Sequence, residues 1–256
     1  MMVRPKKHLG QHFLTDPAIA ARIVELLPSV NEMTVMEVGP GTGILTGIIM
    51  EKIPGSLVAV EIDPESASYL VQKYPAIAGS LIREDFLKLG EEHFNVPELH
   101  IIGNFPYNIS SQIFFKVLGQ RDHVRSVVCM IQKEVADRII APPGSRTYGI
   151  LSVLLQAFYK VEHGFNVKPG SFHPPPKVSS SVIKLTRNET QELDCNEELF
   201  FRVVKTTFQQ RRKTIRNSIK TILLTLGDES PLLSKRPEQL GVAEFVTLTN
   251  FVSSRM

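Results

Sequence analysis

Disulfide frameworks and cysteine-ligated metal sites are excluded at the outset. The 256 residues hold only two cysteines, Cys129 and Cys195, too far apart for metal-ligand spacing. Such sparse use of cysteine fits a reducing, cytosolic compartment. No apolar run reaches membrane-spanning length, and the first residues lack the long apolar core of a secretory signal, so neither a membrane span nor a signal peptide is expected. Internal repeats and low-complexity tracts are also missing. Charge is close to balanced: 29 Lys and Arg against 26 Asp and Glu give a net +3, which permits a nucleic-acid partner without requiring one. A hydrophobic share of 43% and a charged share of 21% are those of a soluble globular chain, long enough for one large α/β domain and a small appendage.

What is present is organised around Ile101-Ile102-Gly103-Asn104-Phe105-Pro106-Tyr107-Asn108-Ile109-Ser110. Leu99–Ile102 is short and apolar enough to predict a buried strand. The ladder must stop near Pro106, which has no N–H, and helical spacing resumes at Ile109 with Ser110 and Ser111 as candidate caps. Asn104, Pro106 and Tyr107 therefore fall on a turn at the carboxyl end of a parallel strand, where open α/β sheets bind ligands. Asn104 offers an amide oxygen to an amine, Pro106 fixes the direction of nearby carbonyls, and Tyr107 gives a base a flat face. The pattern Asn-x-Pro-Tyr resembles the signature of N6-adenine methyltransferases. The same four letters also suit an ordinary strand-to-helix turn with a buried tyrosine.

Other strand ends carry polar residues too. Thr34–Val38 leads into Gly39-Pro40-Gly41-Thr42-Gly43 and a helix to about Ile53. Pro40 removes an N–H that a pyrophosphate cradle would use, so the loop suits another group, such as an amino-acid carboxylate at the helix N-terminus. Glu37 is placed to offset a nearby positive charge. Leu57–Asp63 ends in acids, with Glu61 placed for ribose hydroxyls and Asp63 as a helix cap. Ser80–Phe86 ends with Asp85, an acceptor for an adenine amino group. Four successive strands thus deliver Glu37, Glu61, Asp85 and Asn104 to one edge.

Toward the N-terminus, Arg4–His8 reads as a flexible basic arm, Phe13-Leu14 as a lid or staple, and Thr15 or Asp16 as the cap of a helix over Ala18–Leu27. Further on, Ser126–Ile131 predicts a strand, Val135–Ile140 and Tyr148–Phe158 helices, and Tyr159–Val167 another strand. The proline-rich Pro169–Val178 predicts a stiff, solvated loop in which Phe172 is either a second base-stacking wall or a gap filler. Ser180–Leu185 is expected as an edge strand. Asn188–Asn196 reads as a linker, followed by helices over Glu197–Phe208, Lys213–Leu226 and Val242–Val252. Arg211, Arg212, Lys213 and Arg216 form a compact cationic run suited to phosphates, or a solvated helix face.

Jointly these stretches resemble the ribosomal RNA small-subunit adenine dimethyltransferase family over almost the whole chain. The residues that carry the likeness are Leu9–Leu14, Glu37–Gly43, Asn104–Ser110, Gln132–Glu134, Phe172–Val178 and Gln210–Asn217. The family often has Asn in place of His12 and Leu in place of Phe105. The resemblance implies a Rossmann-like class I S-adenosylmethionine-dependent methyltransferase sheet over residues 1–187 and a small all-helical RNA-binding domain over 188–256. It implies S-adenosylmethionine contacts from His12, Leu14, Gly39, Glu61, Asp85 and Asn104. Chemistry would fall to Asn104, Pro106, Tyr107 and Phe172, and RNA binding to Arg211, Arg212, Lys213 and Arg216, with no metal. The implied product is N6,N6-dimethyladenosine at two adjacent adenines near the 3′ end of 16S rRNA. The implied enzyme is a cytoplasmic monomer acting on an immature small ribosomal subunit. The pocket alone also suits a DNA or 23S-type N6-adenine methyltransferase, and the basic segment also suits a non-catalytic assembly factor.

Overall fold

A computed structural model describes residues 3–30, 32–222 and 230–256. In chain order the elements are β1 (Phe13–Leu14), α1 (Pro17–Val24), β2 (Thr34–Val38), α2 (Ile44–Lys52), β3 (Leu57–Val60), α3 (Pro64–Lys73), β4 (Leu81–Ile82), β5 (Leu99–Asn104), α4 (Ser110–Gly119), β6 (Val124–Gln132), α5 (Lys133–Ile140), α6 (Ile150–Phe158), β7 (Tyr159–Val167), β8 (Phe172–His173), β9 (Ser180–Arg187), α7 (Glu197–Gln209), α8 (Ile215–Ser218) and α9 (Val242–Ser253). The seven-stranded sheet runs β4-β3-β2-β5-β6-β9-β7. Strands β2 to β6 pair in parallel and β9 returns antiparallel to β6.

The strand order reverses beside β2, which pairs with β3 on one side and β5 on the other. Such a reversal opens a crevice at the carboxyl ends of the strands. β5 and β2 approach closely there: a Cβ on Gly103 would sit 2.5 Å from the Val38 carbonyl oxygen, so only glycine fits. Ile101, Ile102, Val127 and Val128 are fully buried, as expected of parallel strands covered on both faces. Helix α1 begins at Pro17 because Asp16, rather than Thr15, accepts from the Ala18 and Ile19 amides.

Several expected elements differ. Ser180–Leu185 was expected at the edge; β9 instead lies inside the sheet, because its residues 180–183 are all buried, while the polar, half-exposed β7 takes the edge. Helix α4 has no side-chain cap from Ser110 or Ser111; Ile109 is its cap residue, and Ser110 donates to the Tyr107 carbonyl at 3.4 Å. The proline-rich loop is not free in solvent: Phe172 and His173 pair with Leu14 and Phe13 as a two-stranded ribbon. The helix expected over Lys213–Leu226 is shorter, α8 plus a 3-10 turn to Thr221, and residues 223–226 fall outside the described residues.

The chain forms two compact units, Met1–Ala136 with Val161–Arg187, and Asp137–Lys160 with Asn188–Met256. The expected boundary after Arg187 is thus one of three crossings. The second unit gains α6 because that helix buries Leu151, Val153, Leu154, Leu155 and Phe158 around its circumference and packs on α7 and α9. Its core also holds Phe200, Val203, Phe245 and Leu248, with the Phe208 and Phe245 rings stacked 5.9 Å apart.

Candidate functional site

A cleft opens at the strand reversal, within the first unit. About 900 Å³ of atom-free space, including its mouth, is lined by His12, Phe13, Gly39, Gly41, Glu61, Ile62, Asp85, Asn104, Pro106 and Tyr107, among others.

Asn104 ends β5 with its amide oriented unambiguously: Nδ2 donates to the His12 carbonyl at 2.7 Å, and a carbonyl can only accept. Oδ1 is the acceptor that remains. Pro106 follows in the turn, its carbonyl accepting from the Ile109 amide at 3.2 Å with one lone pair over. Tyr107 is half-buried, its hydroxyl bonded to Ser180 Oγ and its ring against the His12 imidazole. Burial pushes the phenol pKa up, against the pull of Ser180, so the hydroxyl stays neutral.

Glu61 closes the opposite wall. Its Oε2 accepts from the Gly41 amide at 3.0 Å and its Oε1 from the Asp63 amide at 2.8 Å. Burial pushes its pKa up, with those amides opposing. Gly41 has φ +58°, and a Cβ there would meet the Phe13 ring at 2.7 Å, so the loop, the Phe13 ring and Glu61 fit together only around glycine. Asp85 accepts from the Leu87 amide at 3.0 Å and caps a short turn, which holds its carboxylate at the rim of the cleft.

His12, Gly39, Glu61, Asp85, Asn104, Pro106 and Tyr107 are therefore brought together. Two expected residues are not. Phe172 is 4% exposed and packs in the core with Leu14, Met130 and Val182, because its ribbon partner Leu14 turns the same way; it fills a gap rather than walling the cleft. Leu14 is 3% exposed for the same reason and borders a second, smaller cavity with Glu37 and Asn104. Glu37 was expected to offset a positive charge. Instead it is buried and accepts from the Thr46 hydroxyl at 2.7 Å, and burial lifts its pKa to about 7.

Ile62 was missed by sequence reasoning: it is 51% exposed on the cleft wall, a large apolar side chain offered to a flat ligand. Its signal was its place beside Glu61 at a strand end. The basic arm is anchored, because Lys6 pairs with Asp63 and Glu65 and the Arg4 amide donates to Glu65. Asp63 also caps α3; burial pushes its carboxyl up, but the bonds from Lys6, the Glu65 amide, Ser66 and Gln11 outweigh that and hold it low.

In the second unit Arg211, Arg212 and Lys213 sit on the turn after α7, and only Arg216 of the cationic run lies on a helix. Arg211 is committed to structure, donating to the Ser145 carbonyl at 3.3 Å with its Nε 3.8 Å from Glu238. Arg212 and Lys213 are exposed, and Arg216 is half-buried on α8. Among the described residues no cluster suited to a metal ion occurs.

A mostly parallel sheet with an acid-rimmed, glycine-floored cleft at its strand reversal defines a class I methyltransferase, and solved structures agree. A dimethyladenosine transferase from Plasmodium falciparum superposes with a TM-score of 0.77 over 95% of this chain and 98% of that one, at 25% identity. The 23S rRNA methyltransferase ErmE shares the fold, with a TM-score of 0.68, 24% identity and coverage of 93% and 99%. Ribosomal RNA small subunit methyltransferase A of Phocaeicola vulgatus is 53% identical over 258 residues, covering all of this chain and 92% of that one. The sequence profile of ribosomal RNA adenine dimethylase matches residues 2–238, and the chain belongs to that family.

Proposed function

We propose that this enzyme transfers methyl groups from S-adenosylmethionine to N6 of two adjacent adenines near the 3′ end of 16S rRNA, as a cytoplasmic monomer acting on an immature small subunit. The observation that carries the reading is Asn104, whose oriented amide leaves Oδ1 as an acceptor beside the Tyr107 ring.

The cleft suits the cofactor on its own chemistry. Glu61, held by two backbone amides, and Asp85 at the rim provide acceptors for ribose and base, Ile62 an apolar face, and the glycine loop a floor without side chains. When bound, S-adenosylmethionine supplies an electrophilic methyl group. Adenine N6 is a weak nucleophile because its lone pair is delocalised, and positive charge builds on it as it attacks. Asn104 Oδ1 and the free lone pair of the Pro106 carbonyl accept the N6 hydrogens and stabilise that charge, without reorganising. Tyr107 stacks the base once it leaves its helix, and holding it in line lowers the entropic part of the barrier.

Transfer of tritium from labelled cofactor to isolated small subunits, followed by nucleoside analysis, is expected to yield N6,N6-dimethyladenosine. Label in another nucleoside, or transfer only to duplex DNA or large-subunit rRNA, would overturn the reading. Among the cations, Arg212 and Lys213 are the exposed phosphate contacts. The double change Arg212→Ala, Lys213→Ala is expected to weaken RNA binding and reduce its log–log salt slope by about 1 to 2. Cofactor affinity should hold; filter binding across a salt series and calorimetry check both.

A further inference from the structure

Tyr107 is held at two places. Its hydroxyl bonds Ser180, and one side of its ring meets the His12 imidazole, with centroids 5.3 Å apart and planes inclined by 31°. His12 is in turn fixed, since its Nδ1–H donates to the Pro174 carbonyl at 2.8 Å while its own carbonyl accepts from Asn104. The imidazole therefore links the proline segment after β8 to the Asn-Phe-Pro-Tyr turn. No base fits between the two rings, because an intercalated purine needs them about 7 Å apart, twice the ~3.4 Å stacking rise. Nor is Phe172 available as an opposing wall, being buried in the core.

We propose that His12 is a positioning residue for the target base. Its side chain backs Tyr107, leaving the other face of that ring as a one-sided platform for adenine. This rests on the adenine-N6 reading above, and it gives the imidazole a task separate from cofactor contact. The ring and the Pro174 bond are separable by substitution: His12→Phe keeps an aromatic backing without the bond, and His12→Asn keeps a donor without the ring.

The test uses RNA carrying 2-aminopurine at a target adenine, whose fluorescence falls on stacking. Wild-type enzyme is expected to quench it, whereas His12→Ala loses most of the quench and about five- to tenfold in kcat/KM for RNA. Both readouts are taken at saturating cofactor, with its affinity followed by calorimetry, so a weakened cofactor contact does not imitate the loss. His12→Phe recovers most of both readouts and His12→Asn does not. Three results would overturn the proposal: Asn rescuing as well as Phe, Phe as poor as Ala, or a loss of cofactor affinity with quenching unchanged. Because Phe and Asn are compared directly, poor folding of the Ala variant leaves the test intact. Failure of the underlying reading shows separately, as wild-type enzyme that makes no dimethyladenosine in unmodified RNA.

Discussion

Replacing Asn104 by Ala is expected to slow methyl transfer by about 10²–10³-fold, a barrier increase of roughly 3–4 kcal/mol, while RNA affinity stays nearly intact. The size follows from what the amide does. In free adenine the N6 hydrogens are weakly acidic, and a hydrogen bond to them adds modestly to binding. As the nitrogen attacks, positive charge grows on it and the same bond strengthens, so the loss falls on the transition state rather than on the bound complex. A second loss accompanies it. Asn104 Nδ2 is also the partner of the His12 carbonyl, so alanine frees the lid from the turn. Single-turnover rates at saturating RNA separate the two, because a loosened lid raises the cofactor KM whereas a missing acceptor lowers kcat. Near-normal kcat in this variant would mean that Asn104 has been given the wrong role.

The second large effect concerns stability. Burial, opposed by the Thr46 hydroxyl and reinforced by Glu61, lifts the Glu37 carboxyl from 4.5 to about 7. The folded chain therefore binds this proton more tightly than the unfolded one. Below about pH 4.5 both states are protonated and nothing is lost. Between there and about 7 the unfolded state ionises first, so stability falls as pH rises, and above about 7 the loss is complete. At about 1.4 kcal/mol per pH unit the total is on the order of 3 kcal/mol. Glu37→Gln keeps an acceptor for Thr46 and cannot ionise. Urea unfolding from pH 4.5 to 7.5 is expected to show the wild type losing up to that amount relative to the variant; parallel curves would refute the assignment.

The parallel strands and their polar ends were legible because each signal was local. Apolar runs gave β2, β3 and β5, and the acids and Asn104 lay just after them. What stayed hidden depended on pairings between distant residues. Phe172 beside prolines reads equally as a stacking wall or a gap filler, and only its pairing with Leu14 turns it inward. Lys6 looks like a free cation until α3 brings Asp63 and Glu65 to it. Arg211 reads as one of four equivalent charges, but a carbonyl 66 residues away claims it. The ordering of β9 and β7 turned on which strand has two apolar faces, a contrast too small to settle from alternation alone.

The ribbon of β1 and β8 also constrains assembly. Phe13, which borders the cleft, is held in place by His173, a residue the ribosome adds some 160 positions later. During synthesis the first strand must wait, unpaired, until almost the entire catalytic unit has emerged. A nascent chain that already holds the glycine loop and Glu61 thus lacks a fixed Phe13, and that wall of the cleft is completed late.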